Sequence, residues 1–295
     1  MQYSIKDIEY LTGIKAHTLR IWESRYGIVI PNRSDSKIRW YSDDQARELL
    51  NISVLIKNGY KISKVSKLTT KEIHNALDDL FKGSIEKNAY ADAAISRLIQ
   101  AALTYDVVGF NTVYDDAIRR FGLLDGYGEI IYPLLVKIGL MWNKNEMIPS
   151  QEHFISNIIK QKIFSSINAT QSKEEPTETW TLFLPQDERH EIGLLFAYFV
   201  LKVFNKKVVY LGQDVPHASV KDVVEVTKSD YVYFFTVRRN DSNKIKRLVE
   251  TMLKDFKDVK ICVSGAGYLE SIAEEIKGLE IIKSKEQLIE LAKKK

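Results

Sequence analysis

The last third of the chain changes rhythm, and that change constrains the fold more than any other feature of the sequence. Short apolar runs stand at Trp180–Leu184, Lys207–Leu211, Tyr231–Val237, Lys260–Val263 and Glu280–Ile282, separated by stretches of helix length. Runs this short and this apolar fit strands buried on both faces. Their alternation with helices predicts a parallel sheet covered on either side. Ligands of such sheets sit outside the carboxyl ends of the strands. That directs attention to the loops at 185–193, 212–218, 236–243 and 264–268.

Upstream the rhythm is different. Residues 71–170 are almost continuous helical pattern, as in Ala93–Leu103 and Ile130–Leu140, and the polar stretch Gln171–Glu178 reads as a linker. Residues 1–70 read as short helices around an extended basic insert. The expected organisation is therefore three domains, 1–70, 71–170 and 179–295, in a multidomain α and α/β protein. No run approaches the ~18 apolar residues needed to span a bilayer, and no apolar leader stretch is visible. No membrane association and a cytoplasmic location are expected. The single cysteine, Cys262, lies in the apolar run Lys260–Val263 and is expected to be a buried strand thiol.

Charge separates the first segment from the rest. Residues 1–75 carry 13 Lys and Arg against 8 Asp and Glu, whereas the remaining 220 carry 30 against 31. A basic face on one small domain suits a polyanion such as nucleic acid. On charge alone a solvated surface fits as well.

Residues 4–26 read as two short helices with a turn at Leu11-Thr-Gly13. The second carries His17, Thr18, Arg20, Arg25 and Tyr26 around the apolar Leu19, Ile21 and Trp22. In a helix-turn-helix such a second helix enters the major groove, where hydroxyl, imidazole and guanidinium groups reach bases and phosphates. The segment Pro31–Tyr41 alternates basic and aromatic residues and would form a β-hairpin wing. The run His17-Thr-Leu-Arg-Ile-Trp-Glu-Ser-Arg-Tyr-Gly27, followed by Pro31, Arg33, Arg39 and Tyr41, resembles the MerR family of transcriptional regulators. The resemblance implies a winged helix-turn-helix that binds a double-stranded DNA operator. It puts His17, Thr18, Arg20, Arg25 and Tyr26 on the recognition helix and Arg33, Arg39 and Tyr41 in the wing.

The loop after the first buried strand reads Pro185-Gln-Asp-Glu188-Arg-His190-Glu-Ile-Gly193. Physically, an imidazole at the mouth of a parallel sheet could ligate a metal while Glu188 orients its other nitrogen; a helix-capping loop with a surface histidine fits the same spacing. The acid–any–His–any–any–Gly pattern resembles the cobalamin-binding domain of methionine synthase and methylmalonyl-CoA mutase, a doubly wound, flavodoxin-like fold. The resemblance implies that His190 binds the cobalt of cobalamin and Glu188 supports it. It also implies that Gly193 makes room for the nucleotide tail, with Thr236, Ser264 and Gly265 at later positions of the site. Ser264-Gly265 departs from that family's Gly-Gly, and the serine narrows the slot.

A second signature lies in the helical segment, where Trp142 precedes Glu152-His153. By spacing alone this also fits a core tryptophan and a surface Glu-His pair. With the rest of the chain it is similar to the four-helix cap of the cobalamin-dependent photoreceptor repressors of carotenoid genes. In that group these residues line the space of the 5′-deoxyadenosyl group. Asn143 departs from the histidine that follows the tryptophan there, and amide is a poor cobalt ligand beside imidazole.

The resemblances together imply a DNA-binding regulator, expected to be a repressor and not an enzyme, that forms a homo-oligomer, dimer or tetramer. Adenosylcobalamin, with light as a further input, would control its oligomerisation and operator binding. The alternative is a MerR-type regulator with a vestigial cobalamin fold, controlled by a protein partner or by concentration. A corrinoid enzyme or methyl carrier fits poorly, because a DNA reader fills the N-terminus and no substrate barrel is present.

Overall fold

The computed structural model describes residues 3–33, 39–83, 87–143, 148–171, 175–176, 178–237, 242–265 and 267–294. The chain divides into two compact units, Met1–Ile155 and Ser156–Lys295.

The first unit opens with β1 (Tyr3–Ser4), α1 (Ile5–Thr12), α2 (Ala16–Tyr26), β2 (Asn32–Arg33), β3 (Arg39–Tyr41), α3 (Asp43–Lys57) and α4 (Ile62–Val65). Ser4 and Asp7 form a capping box that starts α1, and Gly13, at φ 74°, ends it in the left-handed region. The tight turn to α2 follows from that glycine. Ser42 and Gln45 repeat the capping box at α3. Gln45 also donates to the Ile30 carbonyl at 2.6 Å, which ties the wing to the helix. The wing is three-stranded in the order β1-β3-β2, with Tyr3 opposite Tyr41 and Arg33 opposite Arg39. The N-terminal strand completes this sheet, an element absent from the sequence expectation. The tip of the wing, residues 34–38, lies outside the described residues.

Helices α5 (Thr70–Gly83), α6 (Lys87–Leu103), α7 (Val107–Gly126), a π-helical turn (Tyr127–Ile131), α8 (Tyr132–Asn143) and α9 (Pro149–Ala169) follow. Their core is aliphatic and aromatic: Tyr90, Leu98, Ile99, Phe110, Ile130 and Leu134 are all within 1% of complete burial. Gly122, at φ 71° and ψ 164°, breaks α7 into two segments. Gln100 donates to buried Asn51 at 2.6 Å and links α6 to α3.

In the second unit, β4 (Thr179–Pro185), α10 (Glu191–Val203), β5 (Lys207–Val215), α11 (His217–Thr227), β6 (Tyr231–Thr236), α12 (Ser242–Asp255), β7 (Lys260–Gly265), α13 (Leu269–Glu275), β8 (Leu279–Ile281) and α14 (Lys285–Lys293) alternate as expected. All pairings are parallel, in the order β5-β4-β6-β7-β8. Strand β4 is buried along nearly its whole length, as a central strand covered on both faces must be. Phe183, Val232, Phe234, Ile261 and Val263 build one core with Val220 and Val224 of α11 and Ile245, Val249 and Met252 of α12. Helix α10 covers the other face and packs against α14. Cys262 is fully buried, and burial pushes its thiol pKa far up, so the strand thiol is inert. Strand β5 exceeds its pattern most, continuing past Leu211 to Val215 through a bulge in which Gly212 and Asp214 take positive φ.

This strand order reverses between β4 and β6. There the two outgoing loops part and leave a crevice at the carboxyl edge.

Candidate DNA interface and candidate cofactor site

Helix α2 buries Leu19 and Trp22, which are 3% and 6% exposed, and turns His17, Arg20 and Arg25 to solvent. Thr18 and Tyr26 are half-buried at its flanks. His17 and Thr18 lie within 3.3 Å of each other. Three basic or imidazole groups on one exposed helical face can meet phosphates and base edges. Ile21, apolar like Leu19 and Trp22, is 46% exposed on the same helix. An exposed aliphatic on a groove-facing helix offers a contact for a thymine methyl.

The wing differs from its expectation in two ways. Tyr41 is only 2% exposed and is therefore a core residue of the small sheet, not a DNA contact. Strand alternation turns it inward opposite Tyr3, which is itself 1% exposed. Arg39 donates from Nε to Glu23 Oε2 at 2.8 Å, and Arg33 donates to Glu23 Oε1 at 3.1 Å. Glu23 belongs to α2, so one carboxylate clasps both wing arginines to the recognition helix. The Arg39 head is committed to that pair, with its side chain 29% exposed, while Arg33 stays half exposed. Glu23 carried no signal of its own in the sequence, because its partners lie on another element.

The second unit concentrates its polar chemistry at the β4/β6 reversal. Glu188, in the loop after β4, is 3% exposed. Its Oε1 lies 2.5 Å from His190 Nδ1 and accepts the Arg189 and His190 amides at 2.9 and 3.1 Å. Its Oε2 accepts the Val237 amide at 2.9 Å and the Thr236 hydroxyl at 3.1 Å. Burial alone would raise this carboxyl's pKa, but the hydrogen bonds from His190 and Val237 outweigh it and bring the value down to about 2. A permanent carboxylate against Nδ1 holds the proton on that nitrogen. Nε2 is the ring nitrogen left for a ligand, on a side chain 61% exposed at the N-terminus of α10.

Thr236 is thus fully buried support for Glu188, and its hydroxyl also lies 3.3 Å from that of Tyr268. The sequence expectation put it at a later position of the cofactor site. Ser264 donates to the Ile282 carbonyl at 2.8 Å, tying β7 to the chain just beyond β8. Gly265 has φ 137°, and an ideal Cβ there would stand 1.7 Å from the Thr236 carbonyl oxygen. Its lack of a side chain serves the approach of β6 to β7. Gly193, in the first turn of α10, faces the Phe235 ring: an ideal Cβ would stand 2.6 Å from Cζ. Phe235 and the Val237 amide were both missed from sequence. A cavity of about 220 Å³ opens on the opposite face, where Gln186, His217, Lys244 and Arg247 reach its wall.

Among the described residues, no group of three His, Cys, Asp or Glu side chains could hold a metal ion. A single exposed imidazole backed by Glu188 fits the cobalt of a corrinoid, and the space in front of Gly193, where the resemblance puts the nucleotide tail, holds the Phe235 ring.

In the helical segment, Glu152 and His153 start α9 with Glu152 Oε2 and His153 Nδ1 2.7 Å apart, and the imidazole is 69% exposed. Their buried neighbour Gln151 donates to the Leu103 carbonyl at 3.2 Å, pinning the start of α9 to the end of α6. Trp142 and Asn143 close α8, and their side chains lie outside the described residues.

Comparison with known proteins gives the two segments a context. The MerR HTH family regulatory protein model matches residues 3–72, and the B12 binding domain model matches residues 94–164. The HTH-type transcriptional repressor CarH of Myxococcus xanthus is 26% identical over 80% of this chain and 79% of its own length. The repressor CarA of the same organism is 25% identical over 98% and 96%. The regulator MlrA of Escherichia coli is 36% identical over 24% of this chain and 29% of its own. Among solved structures, the Methanosarcina barkeri monomethylamine corrinoid protein superposes with a TM-score of 0.55 at 18% identity, covering 66% of this chain and 95% of its own. That likeness is one of fold. No described helix is long and apolar enough to cross a membrane.

Proposed function

Since this chain is a MerR helix-turn-helix regulator with a B12-binding domain, and a distant homologue of the CarH and CarA repressors, we propose that it represses transcription under the control of a corrinoid held on His190. The observation that carries the reading is the saturated Glu188 carboxylate, which presents an exposed imidazole at the mouth of the sheet. A capping loop would account for the Arg189 and His190 amides, whereas the bonds from Thr236 and Val237 at the end of β6 serve to orient the carboxylate under the imidazole.

In this reading residues 1–70 read the operator, residues 71–170 form the cap and residues 179–295 sense. His17, Thr18, Arg20, Arg25 and Tyr26 approach the groove, and Glu23 holds the wing through Arg39 and Arg33. His190 would bind cobalt through Nε2, while Thr236 and the Val237 amide keep Glu188 in place beneath it. A bound alkylcorrinoid supplies a broad apolar surface and a light-sensitive cobalt–carbon bond. The resemblance would give Trp142, Glu152 and His153 to the corrinoid's alkyl group, and adenosylcobalamin is the first form to test. Occupancy favours one oligomer, dimer or tetramer, and linking several readers raises avidity by orders of magnitude without a new base contact.

The test uses double-stranded DNA selected by the purified chain from a random pool. Mobility shifts are measured in the dark and after illumination, with and without corrinoid, for the wild type and His190→Ala. The reading expects corrinoid-dependent DNA affinity in the wild type, lost in His190→Ala while corrinoid-free binding is retained. Equal shifts in both proteins under all conditions overturn it and leave control to a protein partner or to concentration.

A further inference from the structure

Strand β6 sends alternate side chains to opposite faces. Val232 and Phe234 enter the core under α11 and α12, and Thr236 on the same side supports Glu188. Phe235 points the other way, to α10. Its ring ends on Gly193: an ideal Cβ there would meet Cζ, Cε2 and Cε1 at 2.6, 2.7 and 2.9 Å. Real Cβ atoms do not come this close to a ring. The space directly in front of Gly193 is thus taken by the Phe235 ring, which is itself partly exposed. The other small residues of the region are committed as well, Gly265 to the Thr236 backbone and Ser264 to the Ile282 carbonyl.

His190 and Phe235 thus give opposite answers about a cobalamin. The exposed imidazole suits cobalt, whereas a flat heterocycle entering beside α10 would have to displace a ring already seated there. We propose that the Phe235 ring plugs the space beside Gly193, so that this domain takes a corrinoid by its macrocycle and cobalt alone and leaves any nucleotide tail outside the sheet. The ligand class is a corrinoid for which the tail adds no affinity, with tailless cobinamides as its simplest members. The proposal rests on the reading of His190 as the cobalt ligand.

The experiment is a visible-absorbance titration of the full chain with aquocobinamide and aquocobalamin, on the wild type, Phe235→Ala, Phe235→Leu and His190→Ala. The expected wild-type result is a His190-dependent spectral shift with cobinamide and an affinity for cobalamin no higher than for cobinamide. Phe235→Ala opens the groove and should bind cobalamin at least about tenfold tighter than cobinamide. Phe235→Leu keeps the groove filled and should behave as the wild type, which separates plugging from loss of fold. Wild type binding cobalamin tenfold or more tighter than cobinamide overturns the plug. If the wild type takes up neither corrinoid but Phe235→Ala takes up cobalamin, the plug stands and the corrinoid-controlled function falls. If no variant takes up either, both fall.

Discussion

Glu188 and His190 form a clamped pair, with Oε1 2.5 Å from Nδ1 and the opposite carboxylate oxygen held by the Val237 amide. The clamp joins the loop after β4 to the end of β6, the two strands between which the strand order reverses. Glu188→Gln keeps the shape but replaces a pure acceptor by a group that also donates. Corrinoid affinity should fall about 10–100-fold with DNA binding by the corrinoid-free protein unchanged. Glu188→Ala leaves several buried donors unmet and should also cost about 2–4 kcal/mol of stability. Spectral titration and urea denaturation check the two effects separately.

Arg20 and Arg39 should behave differently although both were assigned to DNA by sequence. Arg20 is exposed on α2, so Arg20→Ala should weaken operator binding and lower the salt slope by about one unit. Arg39 is held by Glu23, so Arg39→Ala should act through the wing's position. Its affinity loss should come with a smaller change in salt slope. Mobility-shift titrations over a salt series distinguish them; equal slopes would return Arg39 to the phosphate contacts.

Ile21 is an exposed aliphatic on the recognition helix. Ile21→Ala should weaken binding to the selected site by about 1 kcal/mol, leave the salt slope intact, and relax preference at one A·T pair. Repeating the site selection with the variant measures this.

Gly193→Ala should be destabilising by about 1–3 kcal/mol, because the new methyl overpacks against the Phe235 ring, and it should not gain the stability that alanine usually brings to a helix. In a Phe235→Ala background the same substitution should be close to neutral or stabilising. The double-mutant coupling in thermal or urea unfolding reads the contact directly.

Much of this architecture was legible in one dimension. The five apolar runs predicted all five strands of the parallel sheet: the central β4 and β6 are apolar because they are buried along nearly their whole length, and the edge strands β5 and β8 keep apolar runs although they are only partly covered. The helix turned inward at Leu19 and Trp22 and outward at Arg20 for the same kind of reason: a period of 3.6 sorts faces before any partner is known. His190 with Glu188 was legible because both lie in one loop, two positions apart, where spacing and geometry are nearly the same thing.

What the tertiary structure decided are pairings between distant positions. Arg39 reaches Glu23 across 16 positions, and Glu188 reaches Thr236 across 48. Tyr41 became core because a two-residue N-terminal strand pairs beside it, and Phe235 met Gly193 because β6 lies next to β4 in the sheet. Local periodicity says which face a side chain takes. Which atom fills the space in front of it depends on strand order and packing, and a glycine in the sequence looks the same whether its empty side admits a ligand or the chain's own ring.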